Sequence, residues 1–194
     1  YQIQSLPINS GVFCLKKDRF QDVVWIGTDG QGVYLYSNPL YSIKSMVLSN
    51  YTEKIERPVR AIYLDDERTF WVGTKGNGIL KIYDYEFDKN ISDCRAEVLT
   101  TSNSALSSNA VYCFAKSHRN LLWIGDEEGL TYYSYREKRI KSIPIRIGNE
   151  DFKYIHDIYE TADSELWLAS VGMGVVKARI AGTPDNPVIV DAQR

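Results

Sequence analysis

Cysteine, histidine and methionine are scarce in this sequence: three, two and two among 194 residues. The cysteines (Cys14, Cys94, Cys113) are too few and too scattered for a disulfide framework. With no Cys-x-x-Cys pair and only two histidines, a zinc centre is a poor fit, and no metal is expected. The count does not settle the redox compartment. No stretch approaches the ~18 consecutive apolar residues of a membrane-spanning helix, and no signal-peptide pattern is present. Neither sign of charge dominates: 23 Lys and Arg stand against 25 Asp and Glu, a net charge of −2. That balance argues against a nucleic-acid partner, which calls for a basic field. Also missing are Gly-x-Ser-x-Gly, His-Glu-x-x-His and the phosphate-cradling Gly-x4-Gly-Lys-Ser/Thr, so no catalytic residue and no cofactor is assigned. The chain opens on Tyr1. It is therefore expected to be a piece of something longer, with any targeting signal or anchor outside it and no membrane contact of its own.

Aromatics are plentiful, with 14 Tyr, 6 Phe and 4 Trp, a strand-favouring composition. The tryptophans reveal a repeat. Trp25 opens Trp-Ile-Gly-Thr-Asp-Gly-Gln-Gly-Val, Trp71 opens Trp-Val-Gly-Thr-Lys-Gly-Asn-Gly-Ile, Trp123 opens Trp-Ile-Gly-Asp-Glu-Glu-Gly-Leu, and Trp167 opens Trp-Leu-Ala-Ser-Val-Gly-Met-Gly-Val. Before each lies an apolar run (Val12–Leu15, Val59–Ile62, Val111–Phe114, Ile155–Ile158) and a polar turn. After the glycines comes a third run (Val33–Tyr36, Ile79–Tyr83, Leu130–Tyr133, Val175–Ala178), and in some units a looser fourth, such as Ile43–Leu48 and Arg139–Ile145. Short apolar runs bounded by turn residues read as strands. Four strands per unit, with the tryptophans 46, 52 and 44 residues apart, predict an all-β fold: a β-propeller of four blades. The blades fall at about 1–50, 51–105, 106–148 and 149–194, in one propeller segment. No long helix is expected, and the best place for a short one is within Phe87–Ser107. Gly32, Gly78 and Gly174 close tight hairpins. The third unit keeps only Gly129, with Glu128 in place of the first glycine. The four tryptophans are expected to pack between blades.

The pattern Val-x-x-Ile, polar turn, Trp-Ile-Gly-Thr-x-Gly-x-Gly-Val resembles the two-component regulator propeller repeat. The run Ala105-Leu-Ser-Ser-Asn-Ala-Val111 is similar to that family's blade entry. The resemblance covers essentially the whole chain. It implies part of a seven-bladed propeller in the extracytoplasmic, periplasmic sensor region of a Bacteroidetes-type hybrid two-component histidine kinase. It also implies an oligosaccharide ligand from polysaccharide breakdown, and neighbouring blades or domains of the same receptor as partners. The histidine kinase of such a protein would lie elsewhere, so this chain is not expected to be an enzyme. The departures are Ala169-Ser170 for Gly-Thr and the shortened third unit. Four blades leave three arrangements open: a fragment of a larger ring, a closed four-bladed ring, or a homodimer joined through the exposed blades.

If Val-x-x-Ile is the innermost strand, its variable second position lies near the channel mouth. That position reads Phe13, Arg60, Tyr112 and His156, aromatic faces and a guanidinium fork suited to sugar rings and hydroxyls. The alternative is plain packing against neighbouring blades. Asp157 is a fifth candidate, because its counterparts Cys14, Ala61 and Cys113 are small. The carboxylates Asp65-Asp66 and Asp126-Glu127-Glu128 are read as turn or solvated surface. A glycan-processing enzyme would need two carboxylates facing each other, and Asp157 with Glu160 is the remaining pair. A non-catalytic scaffold for protein association is the other alternative. Asn50-Tyr-Thr52 and Asn90-Ile-Ser92 are weak glycosylation matches.

Overall fold

A computed structural model describes residues 5–37, 42–46, 57–84 and 94–194, with 42–46 as backbone only. Both glycosylation matches lie outside these residues. Four four-stranded antiparallel sheets follow one another along the chain. Blade 1 is β1 (Val12–Lys17), β2 (Val23–Thr28), β3 (Val33–Ser37) and β4 (Ser42–Met46). Blade 2 is β5 (Val59–Leu64), β6 (Phe70–Thr74), β7 (Ile79–Ile82) and β8 (Ala96–Leu99). Blade 3 is β9 (Val111–Lys116), β10 (Leu121–Asp126), β11 (Leu130–Ser134) and β12 (Arg139–Ile143). A short hairpin, β13 (Arg146–Ile147) with β14 (Glu150–Asp151), precedes blade 4: β15 (Ile155–Glu160), β16 (Glu165–Ser170), β17 (Gly174–Thr183) and β18 (Asn186–Gln193). Strand order within each blade is sequence order. The first strands stand side by side, β1 by β5, β5 by β9 and β9 by β15, so they are the innermost strands of a β-propeller. No helix occurs among the described residues. The described part of the region expected to hold one, 94–107, carries β8 and a turn.

The core is three inter-blade layers. Trp25 and Leu35 of blade 1 pack on Ile62, Phe70 and Leu80 of blade 2. Trp71 and Ile79 of blade 2 meet Leu122, Ile124 and Tyr133 of blade 3. Trp123 and Tyr132 of blade 3 meet Ile158, Leu166 and Val176 of blade 4. Each of these three tryptophans is fully buried. An indole of roughly 200 Å² at about 25 cal/mol per Å² gives each interface on the order of 5 kcal/mol, an upper figure. Among the described residues no further blade packs on Trp167 of blade 4, and it is 43% exposed.

Why the repeat keeps glycine after Trp-x is also visible. A Cβ on Gly125 would lie 2.5 Å from both Cys113 Sγ and the Ile155 carbonyl oxygen of the next blade. In blade 4, where no further described blade presses on this position, Ala169 takes it. In the hairpin turn, Gly78 has φ of 74°, and a Cβ there would sit 2.2 Å from the Leu99 carbonyl oxygen, so only glycine fits.

Two of the acids read as turn or solvated surface are buried, Asp65 within its expected turn and Asp126 at the end of β10. Asp65 accepts from the backbone N–H groups of Glu67 and Thr69 and from Trp71 Nε1 at 2.9 Å. Asp126 ends β10 and accepts from Glu128 N, Gly129 N, Ser107 Oγ and Thr131 Oγ1. Both are fixed by donors, which is how a buried carboxylate is tolerated. Burial still raises the Asp126 pKa above the usual carboxylate value, against the lowering effect of those hydrogen bonds.

Candidate binding site at the ends of the innermost strands

Each innermost strand carries a β-bulge at the same place. Pairing with the second strand skips one residue between Val12 and Cys14, between Val59 and Ala61, between Val111 and Cys113, and between Ile155 and Asp157. The skipped residues are Phe13, Arg60, Tyr112 and His156. A bulge leaves its extra residue unpaired and re-aims its side chain. Here the same device operates four times on adjacent strands.

The four side chains form a row. The Arg60 guanidinium carbon lies 3.6 Å from the centroid of the Phe13 ring. Tyr112 and His156 stack with centroids 4.1 Å apart and planes 17° from parallel. Arg60 links the two pairs electrostatically: its charge acts on both Tyr112 and His156. Burial, and then the positive charges of Arg60 and Lys75, lower the His156 pKa, which favours the neutral ring. Burial, followed by the Glu127 charge, raises the Tyr112 phenol. Phe13 and His156 are exposed, while Arg60 and Tyr112 are half-buried. A wall of this kind offers apolar faces with one fixed cation among them.

A second ring of residues surrounds the row. Each Trp strand is followed by a residue whose backbone N–H donates to the carbonyl just before the innermost strand of a blade. Asp29 donates to Gly11, Lys75 to Pro58, Glu127 to Ala110 and Val171 to Tyr154. These contacts pin the turns beside the bulges. Lys75 and the bulge itself were not picked out from the sequence, and Glu127 was read there only as turn or solvated surface; the equivalence of the four turn positions could have flagged both residues.

Asp157 does not join the row. It is exposed on the face of blade 4 that carries Trp167, and its Oδ1 accepts from the Ile158 backbone N–H. Its counterparts occupy inter-blade layers. The Cys113 thiol donates to the Ile155 carbonyl at 3.7 Å, and burial pushes its pKa far up. Cys14 is pushed up to about 11 by burial. All three cysteines are free thiols. Glu160, the possible partner of Asp157, is buried against blade 3, where it accepts from Trp123 Nε1 at 2.6 Å. Among the described residues, no group of three or more His, Cys, Asp or Glu side chains could hold a metal.

No family model matches the chain. One curated protein, translation initiation factor 6 of Saccharolobus solfataricus, is 31% identical over 140 residues, 66% of this chain and 57% of the relative. The chain thus spans a little over half that protein's length. Among solved structures, the extracellular domain of the putative hybrid two component system BT3049 from B. thetaiotaomicron superposes with a TM-score of 0.69 at 24% identity, over 100% of this chain and 24% of that one. PorZ, a surface component of the type-IX secretion system of Porphyromonas gingivalis, gives 0.65 at 14% identity, over 94% of this chain and 27% of that one. The β-propeller domain of Swd1 from Myceliophteria thermophila gives 0.59 at 12%, over 94% and 59%. These likenesses establish the propeller fold.

Proposed function

We propose that this chain is the ligand-sensing propeller segment of an extracytoplasmic hybrid two-component sensor, with an oligosaccharide from polysaccharide breakdown as its ligand. The observation that carries the reading is the bulged row Phe13–Arg60–Tyr112–His156. It places aromatic faces and a guanidinium at one end of four adjacent strands, the combination that stacks on sugar rings and donates to their hydroxyls. The likeness to the B. thetaiotaomicron extracellular domain and the repeat motif supply the receptor context. From that context come a periplasmic location, further blades or domains as neighbours, and membership of a larger, seven-bladed ring. The segment itself is read as non-catalytic: Asp65, Asp126 and Glu160 are engaged by N–H and O–H donors, and Asp157 faces away from the row.

The test is a thermal-shift screen of this chain against plant and host oligosaccharides. A ligand at about 100 times its dissociation constant adds roughly 2.7 kcal/mol, or about 5–10 °C for a domain of this size. A shift that is lost in Tyr112→Ala supports the reading, and no shift with any sugar overturns it. A second reading, a protein-docking scaffold that includes homodimerisation, is favoured by the exposed face of Trp167, Tyr159 and Val175. It predicts capture of a β-sheet partner and indifference to sugars.

A further inference from the structure

We propose that the row selects an acidic saccharide, a uronate whose carboxylate is held at the blade 2 end by Arg60 and Lys75. The inference rests on the saccharide reading and adds the ligand's charge.

Arg60 is a half-buried cation with no counter-ion among the described residues. Its guanidinium lies against Phe13, and its Nε is buried with no hydrogen-bond partner. Among the described residues no carboxylate pairs with Arg60 or with Lys75, although most other charged side chains near the blade ends find one. Arg19 and Lys116 share Asp66, Lys153 takes Glu128, and Arg146 takes Asp151. Leaving a partly desolvated guanidinium unpaired is costly, and an incoming anion removes that cost.

The surrounding charges point the same way. Lys75 is exposed at the turn that follows β6, close enough to act on His156. The stem of Arg57 runs past Gly76 beside it. The acids at the equivalent turn positions, Asp29 and Glu127, belong to the flanking blades, and Glu127 is engaged by Ser108 Oγ at 3.3 Å. One end of blade 2 is therefore cationic, and the Tyr112–His156 stack is its apolar neighbour. A neutral sugar would cover the stack and leave Arg60 unpaired. A uronate fills both, with its ring along the aromatic pair and its carboxylate across the planar guanidinium fork.

The experiment is calorimetric titration of the full chain with trigalacturonate and with its methyl-esterified form, which keeps the rings and removes the charge. The acid is expected to bind roughly 10- to 100-fold tighter. Arg60→Gln is expected to remove that preference, with the melting temperature reporting an intact fold. Should Arg60→Gln fail to fold, the exposed Lys75→Gln is expected to weaken the acid several-fold and leave the ester unchanged. Equal binding of acid and ester, or binding of neutral sugars alone, overturns this inference while the saccharide reading stands. Silence of the acid, the ester and the neutral panel overturns both.

Discussion

The indole N–H of Trp123 donates to Glu160 of the following blade at 2.6 Å, whereas Trp25 and Trp71 donate to aspartates of their own turns, Asp18 and Asp65. The difference lies at one position. The residue after the innermost strand is Asp18 in blade 1 and Asp65 in blade 2, but Ser117 in blade 3. Serine is too short to reach the indole, so the acceptor comes from across the interface, with Arg119 4.0 Å from its other oxygen. Glu160→Leu leaves a buried N–H without an acceptor and is expected to cost about 1–3 kcal/mol in urea unfolding. Glu160→Gln keeps an acceptor oxygen and is expected to cost less. Equal losses for the two would show that the hydrogen bond contributes nothing.

Asp65 and Asp66 are sequence neighbours with opposite roles. Asp65→Ala strips acceptors from Trp71 and two backbone N–H groups, and a loss of at least ~2 kcal/mol is expected. Asp66 is exposed, pairing with Lys116 and with Arg19 at 2.6 Å, and Asp66→Ala is expected to stay within roughly 1 kcal/mol. The hydrogen bond from Lys116, with the Arg19 charge, holds the Asp66 pKa below its usual value. Its contribution is therefore present above the ordinary carboxylate pKa and lost as pH falls through the depressed folded value. Comparing wild type with Asp66→Asn by denaturation across acid pH checks the sign: the difference should shrink as pH drops.

The blades were legible because the repeat is carried by tryptophan and glycine at fixed positions. Tryptophan marks the inter-blade layer, and glycine marks both the tight hairpin and the close approach of the next strand. The row at positions 13, 60, 112 and 156 was legible as a variable position, but its bulges were not, since no residue type demands one there. The burial of Asp65 and Asp126 was hidden for a different reason. An aspartate near a turn has the same signature whether it faces water or, like Asp65, accepts from a buried indole, and the side-chain donors that hold Asp126, Ser107 and Thr131, come from outside its turn. The exposure of Trp167 could not be read from its motif, because burial there depends on a neighbouring blade and not on the residue itself.

Gly125 tests the close approach of blades 3 and 4. Gly125→Ala pushes a methyl group against Cys113 Sγ and a backbone oxygen, each 2.5 Å away. The backbone oxygen cannot move aside cheaply, so a loss of about 1–3 kcal/mol is expected. At Gly30, φ is 82° and nothing lies within 4 Å, so Gly30→Ala meets only backbone strain, about 1 kcal/mol. Thermal denaturation of the two variants should rank them in that order. A Gly125→Ala protein as stable as wild type would mean the two blades stand further apart.

His156 reports on the charge of the row. Burial, then Arg60 and Lys75, hold its pKa below 6.5. The neighbouring Asp157 carboxylate, exposed on the other side of the strand, does not reverse this. The folded protein therefore favours the neutral ring. As pH falls through 6.5 the unfolded chain takes up the proton first, so stability declines until the lower folded pKa is passed. Proton NMR can follow this directly, because His118 is the only other histidine. Arg60→Gln removes one of the two cations, and the His156 midpoint is expected to move up toward 6.5, while Tyr112→Ala exposes the ring and is expected to move it the same way. Saturating trigalacturonate in the wild type should raise the midpoint as well, since a carboxylate at Arg60 neutralises the charge acting on the imidazole. A midpoint unmoved by Arg60→Gln would mean that the guanidinium does not face His156, and the row would lose its central member.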